Sequence, residues 1–206
     1  MPPDPTVWVV DDEAAMRNSL KWLIESVGLA VRVYASAEEF LGAYDAALPG
    51  CIVSDVRMPG MSGIELQAEL AQRGGAVPMI FLTAHGEIPM AVHAIQSGAF
   101  DFIEKPFSNH GLLERIQRAV ARDRQTRVAL ERRKDVLDRL ERLSAREREV
   151  LDQIVQGKAN KEIAAQLNVS IKTVEFHRAH VMQKMGADSV ASLLNAILGA
   201  REPERA

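Results

Sequence analysis

Between Thr6 and Lys105 the chain repeats one alternation five times: a short apolar run, then a stretch whose apolar residues recur every three or four positions. Short continuous runs suit strands buried on both faces, and the amphipathic stretches suit helices that cover them. The spacing predicts strands at Thr6 to Val10, Val31 to Tyr34, Cys51 to Ser54, Pro78 to Leu82 and Asp101 to Ile103. A repeated βα unit builds a doubly wound parallel sheet, so the first half reads as α/β.

The pattern changes near Leu112. From there to Arg142 there is neither Pro nor Gly, charges dominate, and the fifth helix is expected to run on as a helical linker. Leu130, Leu137 and Leu140 keep a partial heptad that Leu143 extends, which leaves a coiled coil and a charged single helix both open. Ser144-Ala145-Arg146-Glu147 then forms a capping box ahead of a helix through Gln156, and Gly157 ends it. Asn160 is the expected cap of Lys161 to Leu167, and Ser170 the cap of Ile171 to Met185. The short link between them is that of a helix-turn-helix. A last apolar helix, Ser189 to Gly199, offers a candidate dimer surface.

Charge sharpens this division. Residues 1 to 107 hold 6 basic and 14 acidic residues, a net −8, whereas 108 to 143 hold 10 against 6 and 144 to 206 hold 9 against 8. The acidic front and basic rear place any polyanionic partner at the rear. No apolar run approaches a membrane span and no signal segment opens the chain, so a cytoplasmic location without membrane contact is expected. Cys51, the only cysteine, excludes an intrachain disulfide and a cysteine-based zinc cluster, and reads as a buried strand thiol.

Asp11 and Asp12, then Asp55, Thr83 and Lys105, follow one another at 43, 28 and 22 positions and fall at or just past the ends of strands one, three, four and five. Carboxyl ends of strands are where doubly wound sheets bind ligands. Carboxylates gathered at one edge repel unless a cation joins them, and Mg²⁺ takes a few such oxygens while keeping waters. Asp12 and Asp55 are the expected direct ligands, with Asp11 beside them or acting through water. Asp55 can attack a phosphoryl group and become an acyl phosphate, with Lys105 and the Thr83 hydroxyl supporting its oxygens. Each residue alone would pass for a turn or a helix cap; five together point to a phosphorylation site.

Val9-Val10-Asp11-Asp12-Glu13, Ser54-Asp55-Val56-Arg57-Met58-Pro59-Gly60, Leu82-Thr83-Ala84 and Lys105-Pro106-Phe107 resemble the receiver domain of bacterial response regulators over about residues 5 to 122. The segments from Thr83 to Val92 and from Gly98 to Phe107 are similar to the FixJ type. This resemblance implies a flavodoxin-like (βα)5 fold, phosphorylation of Asp55 by a cognate sensor histidine kinase, and Mg²⁺ held also by the Arg57 carbonyl. It further implies a cis bond before Pro106 and a switch pair, Thr83 and Phe102. Phe102 as plain core stays open beside that reading. Arg57 and His85 match the two variable positions beside the phosphate. The fourth helix, fifth strand and fifth helix would form a phosphorylation-dependent homodimer face, near Met90 to Gln96, Asp101 to Ile103 and Leu112 to Ala119. His93 would lie on it as an ordinary surface residue or a participant.

In the Ile171 to Met185 helix, Val174, Val181 and Met185 share one face and should pack inward. The opposite face presents Lys172, Glu175, Phe176, Ala179 and Gln183 to a major groove, where Phe and Ala suit thymine methyls. Asn160 and Thr173 are further candidate DNA contacts, and Lys161, Arg178, His180 and Lys184 flank the face and suit phosphates. His177 is either a packing residue or a phosphate contact. Leu143-Ser144-Ala145-Arg146-Glu147-Arg148-Glu149-Val150-Leu151, Asn160-Lys161-Glu162-Ile163-Ala164 and Thr173-Val174-Glu175-Phe176-His177 resemble the LuxR-type DNA-binding domain. The resemblance implies an all-α four-helix output domain that binds inverted repeats in double-stranded promoter DNA as a dimer.

The expected organisation is a receiver at 5–122, a linker at 123–142 and an output domain at 143–200 in a NarL/FixJ-type transcription regulator, not an enzyme. Its partners would be the kinase, promoter DNA, a second copy and RNA polymerase. A phosphorelay intermediate or phosphate sink, and a constitutive DNA-binding regulator, are the alternatives.

Overall fold

The computed structural model describes residues 3–75, 77–84 and 88–201, with the side chains of Ile88 and Arg201 outside the description. The chain divides into two compact units, Met1–Arg127 and Val128–Ala206.

The first unit is a five-stranded parallel sheet, β1 (Thr6–Val10), β2 (Ala30–Tyr34), β3 (Gly50–Asp55), β4 (Met79–Thr83) and β5 (Asp101–Glu104), in the order β2-β1-β3-β4-β5. Every residue of β1 and β4 is buried, which is why these strands read as unbroken apolar runs. Side chains alternate between two cores. Trp8, Val10, Ile52 and Phe81 pack with α2 (Ala37–Ala43), α3 (Gly63–Gln72) and α4 (Ile88–Gln96), whereas Val7, Val9, Val53, Ile80 and Leu82 pack with α1 (Ala14–Glu25) and the start of α5 (Asn109–Glu141). Cys51 lies in the second core, and burial pushes its thiol pKa up, as expected for an inert strand residue.

Parallel pairing aligns the strand ends: Asp55 stands opposite Leu82, and Thr83 opposite Glu104. At the opposite edge the Asp123 carboxylate, 3 % exposed, accepts the Gly50 N–H at 2.9 Å and the Arg127 guanidinium at 2.8 Å. Arg127 also donates to the carbonyls of Ala46, Ala47 and Leu48. Only glycine fits at position 50, because a Cβ there would sit 1.8 Å from the Thr6 carbonyl oxygen.

The second unit contains the last part of α5, then α6 (Ala145–Val155), α7 (Asn160–Leu167), α8 (Ile171–Met185) and α9 (Val190–Arg201). One core joins Val150, Leu151, Ile154, Ile163, Val174, Val181, Met185, Leu193 and Ile197. Leu143 is buried in that core and Leu140 packs against it, so neither continues the exposed heptad of Leu130 and Leu137. The cap of α7 also differs from expectation. Ala159 is the N-cap, its N–H satisfied by the Glu162 carboxylate at 2.7 Å, and Asn160 is the first helical residue. Asn168, left-handed at φ 52°, ends α7 and starts the three-residue turn into α8.

Candidate functional site

At the carboxyl edge of the sheet the Lys105 ammonium lies 2.7 Å from Asp55 Oδ1 and 3.2 Å from Asp11 Oδ2. Backbone geometry fixes all three. The Lys105 N–H donates to the Thr83 carbonyl at 2.7 Å, the Lys105–Pro106 bond is cis as the resemblance implied, and the Arg57 N–H donates to Asp55 Oδ2 at 2.8 Å. The Glu13 N–H donates to Asp11 Oδ1 at 2.9 Å, and Arg17 of α1 holds the Asp11 carbonyl at 2.7 Å.

The electrostatics are unbalanced. Asp11 is 1 % exposed, and burial raises its pKa against the opposing pull of the Glu13 N–H and Lys105. Burial alone would lower the pKa of Lys105, yet hydrogen bonding and charge from Asp55 and Asp11 outweigh it and hold that pKa above its ordinary value. One ammonium therefore serves two carboxylates, and the buried one remains costly to ionise.

Asp12 is exposed beside this pair, and among the described residues no three His, Cys, Asp or Glu side chains form a ready cage for a metal ion. The donor chemistry nonetheless fits Mg²⁺, which prefers oxygen ligands and needs only one or two carboxylates together with water and phosphate. Asp11 and Asp55 already converge on a cation, and Asp12 stands next in the chain. Thr83 is buried at the end of β4, and Phe102 of β5 is half-buried with its ring 6.3 Å from that of Phe81. His85 lies outside the described residues. His93 is exposed on α4, as are Val92 and Ile95.

A groove of about 1050 Å³ runs beside the pocket, lined by Met16, Trp22 and Leu23 of α1 and by Pro106 and Phe107, with Lys105 contributing to its wall. Trp22 is 80 % exposed on it.

In the second unit α8 buries Val174, Val181 and Met185 and exposes Lys172, Glu175, Phe176, Ala179 and Gln183. Lys161 of α7 is exposed as well. Several predicted contacts are engaged within the fold. Thr173 completes the Ser170 cap, with its N–H 3.0 Å and its hydroxyl 2.7 Å from Ser170 Oγ. Arg178 donates to Asn160 Oδ1 at 3.3 Å, tying α8 to α7. Lys184 is bound to Glu147 Oε2 at 2.7 Å and to the Arg142 carbonyl at 3.3 Å. His177 is half-buried beside Phe176, and the His180 ring packs 4.2 Å from that of Phe176 while its Nδ1 lies 3.6 Å from Glu147 Oε1.

Glu147 is the hub that sequence reading missed. It was legible as a capping residue, and its carboxylate does accept the Ser144 N–H at 2.8 Å, but nothing in the chain marks a partner 37 positions away. Lys184 first, then the Ser144 N–H, pull its pKa down to about 2. Arg17 gave no signal either, because it grips a backbone carbonyl.

The family of response regulator receiver domains matches residues 7–117, and that of bacterial regulatory proteins of the luxR family matches residues 141–196. The transcriptional regulatory protein TdiR of Thauera aromatica is 44 % identical over 94 % of this chain and 85 % of its own length. The transcriptional regulatory protein FixJ of Azorhizobium caulinodans is 45 % identical over 96 % of this chain and 94 % of its own. Among solved structures, the response regulator StyR superposes with a TM-score of 0.87 at 39 % identity, covering 95 % of this chain and 99 % of that one. Full-length FixJ from B. japonicum gives a TM-score of 0.60, also at 39 % identity, over 95 % and 97 % of the two chains. With an oxygen-lined acidic pocket on a five-stranded receiver and a helix-turn-helix on the same chain, the protein belongs to the NarL/FixJ family of two-component response regulators, which are transcription regulators rather than enzymes.

Proposed function

We propose that this chain activates transcription when Asp55 is phosphorylated. The observation that carries the reading is the pairing of Asp55 with Lys105, beside a buried Asp11 whose charge burial disfavours. A phosphohistidine of the cognate kinase would approach along the groove of Trp22 and Phe107, which opens beside Lys105. One carboxylate oxygen of Asp55 attacks phosphorus, the P–N bond breaks, and its electron pair leaves with the imidazole. Lys105 holds the phosphoryl oxygens, the Thr83 hydroxyl donates to one of them, and Phe102 follows Thr83 inward. Mg²⁺ held by Asp11, Asp12, Asp55 and the Arg57 carbonyl would neutralise the phosphoryl charge.

Phosphorylation then shifts the receiver toward a state that dimerises through α4, β5 and α5, where Val92 and Ile95 are exposed. Two copies of α8 reach successive half-sites of an inverted repeat, with Lys172, Glu175, Phe176 and Ala179 toward the bases and Lys161 toward the phosphates. Asn160, Thr173, His177, Arg178 and Lys184 shape and orient that surface from within the fold. RNA polymerase is the further partner of a bound activator. A regulator of promoter DNA would work in the cytoplasm; no helix among the described residues is long and apolar enough to cross a membrane.

The test is mass by light scattering and affinity for promoter fragments by titration, with and without Mg²⁺ and beryllofluoride, for wild type and Asp55→Asn. Dimerisation with tighter binding in the wild type alone is the expected result. Equal binding in all four conditions would make the chain a constitutive regulator. A Lys172→Ala variant that lost DNA binding yet kept full biological output would make it a phosphate sink or relay.

A further inference from the structure

The loop that follows Asp55 carries the Arg57 carbonyl, and its ends are closed by main-chain bonds: the Val56 N–H to the Leu82 carbonyl and the Gly63 N–H to the Val56 carbonyl, each 3.0 Å. Between those ends Pro59 has no N–H to give. Side-chain acceptors hold three N–H groups in between, that of Ser62 going to Glu65 Oε2 at 2.8 Å in the capping box of α3. Asp55 Oδ2 takes the Arg57 N–H at 2.8 Å, and Glu38 Oε1 takes the Met61 N–H at 2.9 Å from 23 residues away in the chain.

Glu38 sits in the first turn of α2, where its carboxylate meets its own N–H and the Ser36 side chain, while the cap of that turn is made by its neighbours. Ser36 Oγ accepts the Glu39 N–H at 3.2 Å, and Glu39 Oε2 reaches back to the Ala35 N–H at 2.7 Å. Glu38 also reaches out to the loop, where Gly60 makes room: a Cβ there would lie 2.8 Å from Glu38 Oε1, and the backbone is left-handed at φ +76°. Its own N–H, then that of Met61, hold its carboxyl below the ordinary carboxylate range, so the acceptor is charged at neutral pH. Glu38 is exposed, which excludes core packing as its task.

We propose that Glu38 is a positioning residue of the phosphoacceptor site, fixing the loop from Val56 to Met61 and with it the Arg57 carbonyl that would face Mg²⁺. This role rests on the phosphorylation reading. Asp55 fixes the near end of the loop and Glu38 the far end, so the segment that carries the Arg57 carbonyl is held from both sides.

The test compares wild type, Glu38→Ala and Glu38→Gln as full chains. Amide hydrogen exchange at Met61 is read without metal, and Mg²⁺ affinity by calorimetry with magnesium chloride. Glu38→Ala is expected to lose protection at Met61 and to bind Mg²⁺ about threefold to tenfold more weakly, the scale of one hydrogen bond. Glu38→Gln, whose amide oxygen can accept the same bond, is expected to recover most of both. Faster exchange at Met61 with unchanged Mg²⁺ affinity would overturn the proposal, as would unchanged exchange. A wild-type chain that bound no Mg²⁺ would overturn the phosphorylation reading itself, and this role with it.

Discussion

Each unit of the chain centres on a buried carboxylate that meets a lysine, and the two behave in opposite ways. Glu147 in the second unit gathers Lys184, the Ser144 N–H and the His180 edge, and its pKa falls to about 2. Asp11 in the first unit shares Lys105 with Asp55, and burial raises its pKa despite that lysine. The lesson lies in the ratio of donors to carboxylates. A satisfied acid ties helices together; an undersupplied one favours added positive charge, which accords with the proposed Mg²⁺ site.

Four perturbations put that contrast to the test. The largest effect is expected from Asp55→Asn, which should abolish the gain in DNA affinity produced by Mg²⁺ and beryllofluoride; in the wild type that gain should be about 5- to 150-fold, the usual range of allosteric coupling. Retention of the gain in the variant would show that the acidic pocket does not control the output. Glu147→Ala should lower the stability of the second unit by about 1–3 kcal/mol, since it strands the Ser144 N–H and loosens Lys184, which is partly solvated. Thermal melting followed by exchange in each unit would reveal it, and loss confined to the first unit would contradict the assignment.

Lys172→Ala should relax specificity at one base position, as expected of a side chain turned toward the bases, whereas a uniform loss across sequences with the salt slope lowered by about 1 would move Lys172 to a phosphate. Titrations at several salt concentrations separate the two. The smallest effect should come from Asp11→Asn, which removes a charge that burial disfavours and should raise the melting temperature of the metal-free chain by a few degrees while weakening Mg²⁺ binding. Destabilisation instead would mean that the Lys105 pairing outweighs burial.

The same two acids set opposite pH trends. The folded pKa of Glu147, about 2, lies below its ordinary 4.5, so its contribution is complete above pH 4.5 and is lost as pH falls toward 2. Asp11 has a folded pKa above its ordinary 3.8, so its ionisation costs stability as pH rises through the folded value, and acid relieves that cost. Acidification from pH 4.5 should therefore weaken the second unit's tie while easing strain in the first, a divergence that unit-resolved exchange can track.

Much of this architecture was legible because it repeats or alternates. Strands buried on both faces wrote themselves as apolar runs, within a residue of their observed ends, and parallel pairing then brought Asp11, Asp55 and Lys105 to one edge. Capping boxes at Ser144 and the short turn before Ser170 were equally plain. Sequence did not disclose the side chains whose partners are backbone groups or lie far along the chain: Arg17 on the Asp11 carbonyl, Glu38 on the Met61 N–H, Lys184 on Glu147. Asn160 misled for a local reason. Ala159 can precede the helix because Glu162 caps its N–H, which frees Asn160 to meet Arg178. Leu143 misled for a global one, since a heptad position and a core position look alike until the fold decides.

The latch of Asp123 and Arg127 bears on how such regulators can be recombined. A splice placed at residue 122, where the resemblance to a receiver fades, would discard the carboxylate that seats Gly50 and the guanidinium that gathers the carbonyls of residues 46 to 48. Chimeras joined after Arg127 keep the receiver's own fastening and exchange only the segment beyond it. The seam for exchanging outputs is thus drawn by one salt bridge of 2.8 Å.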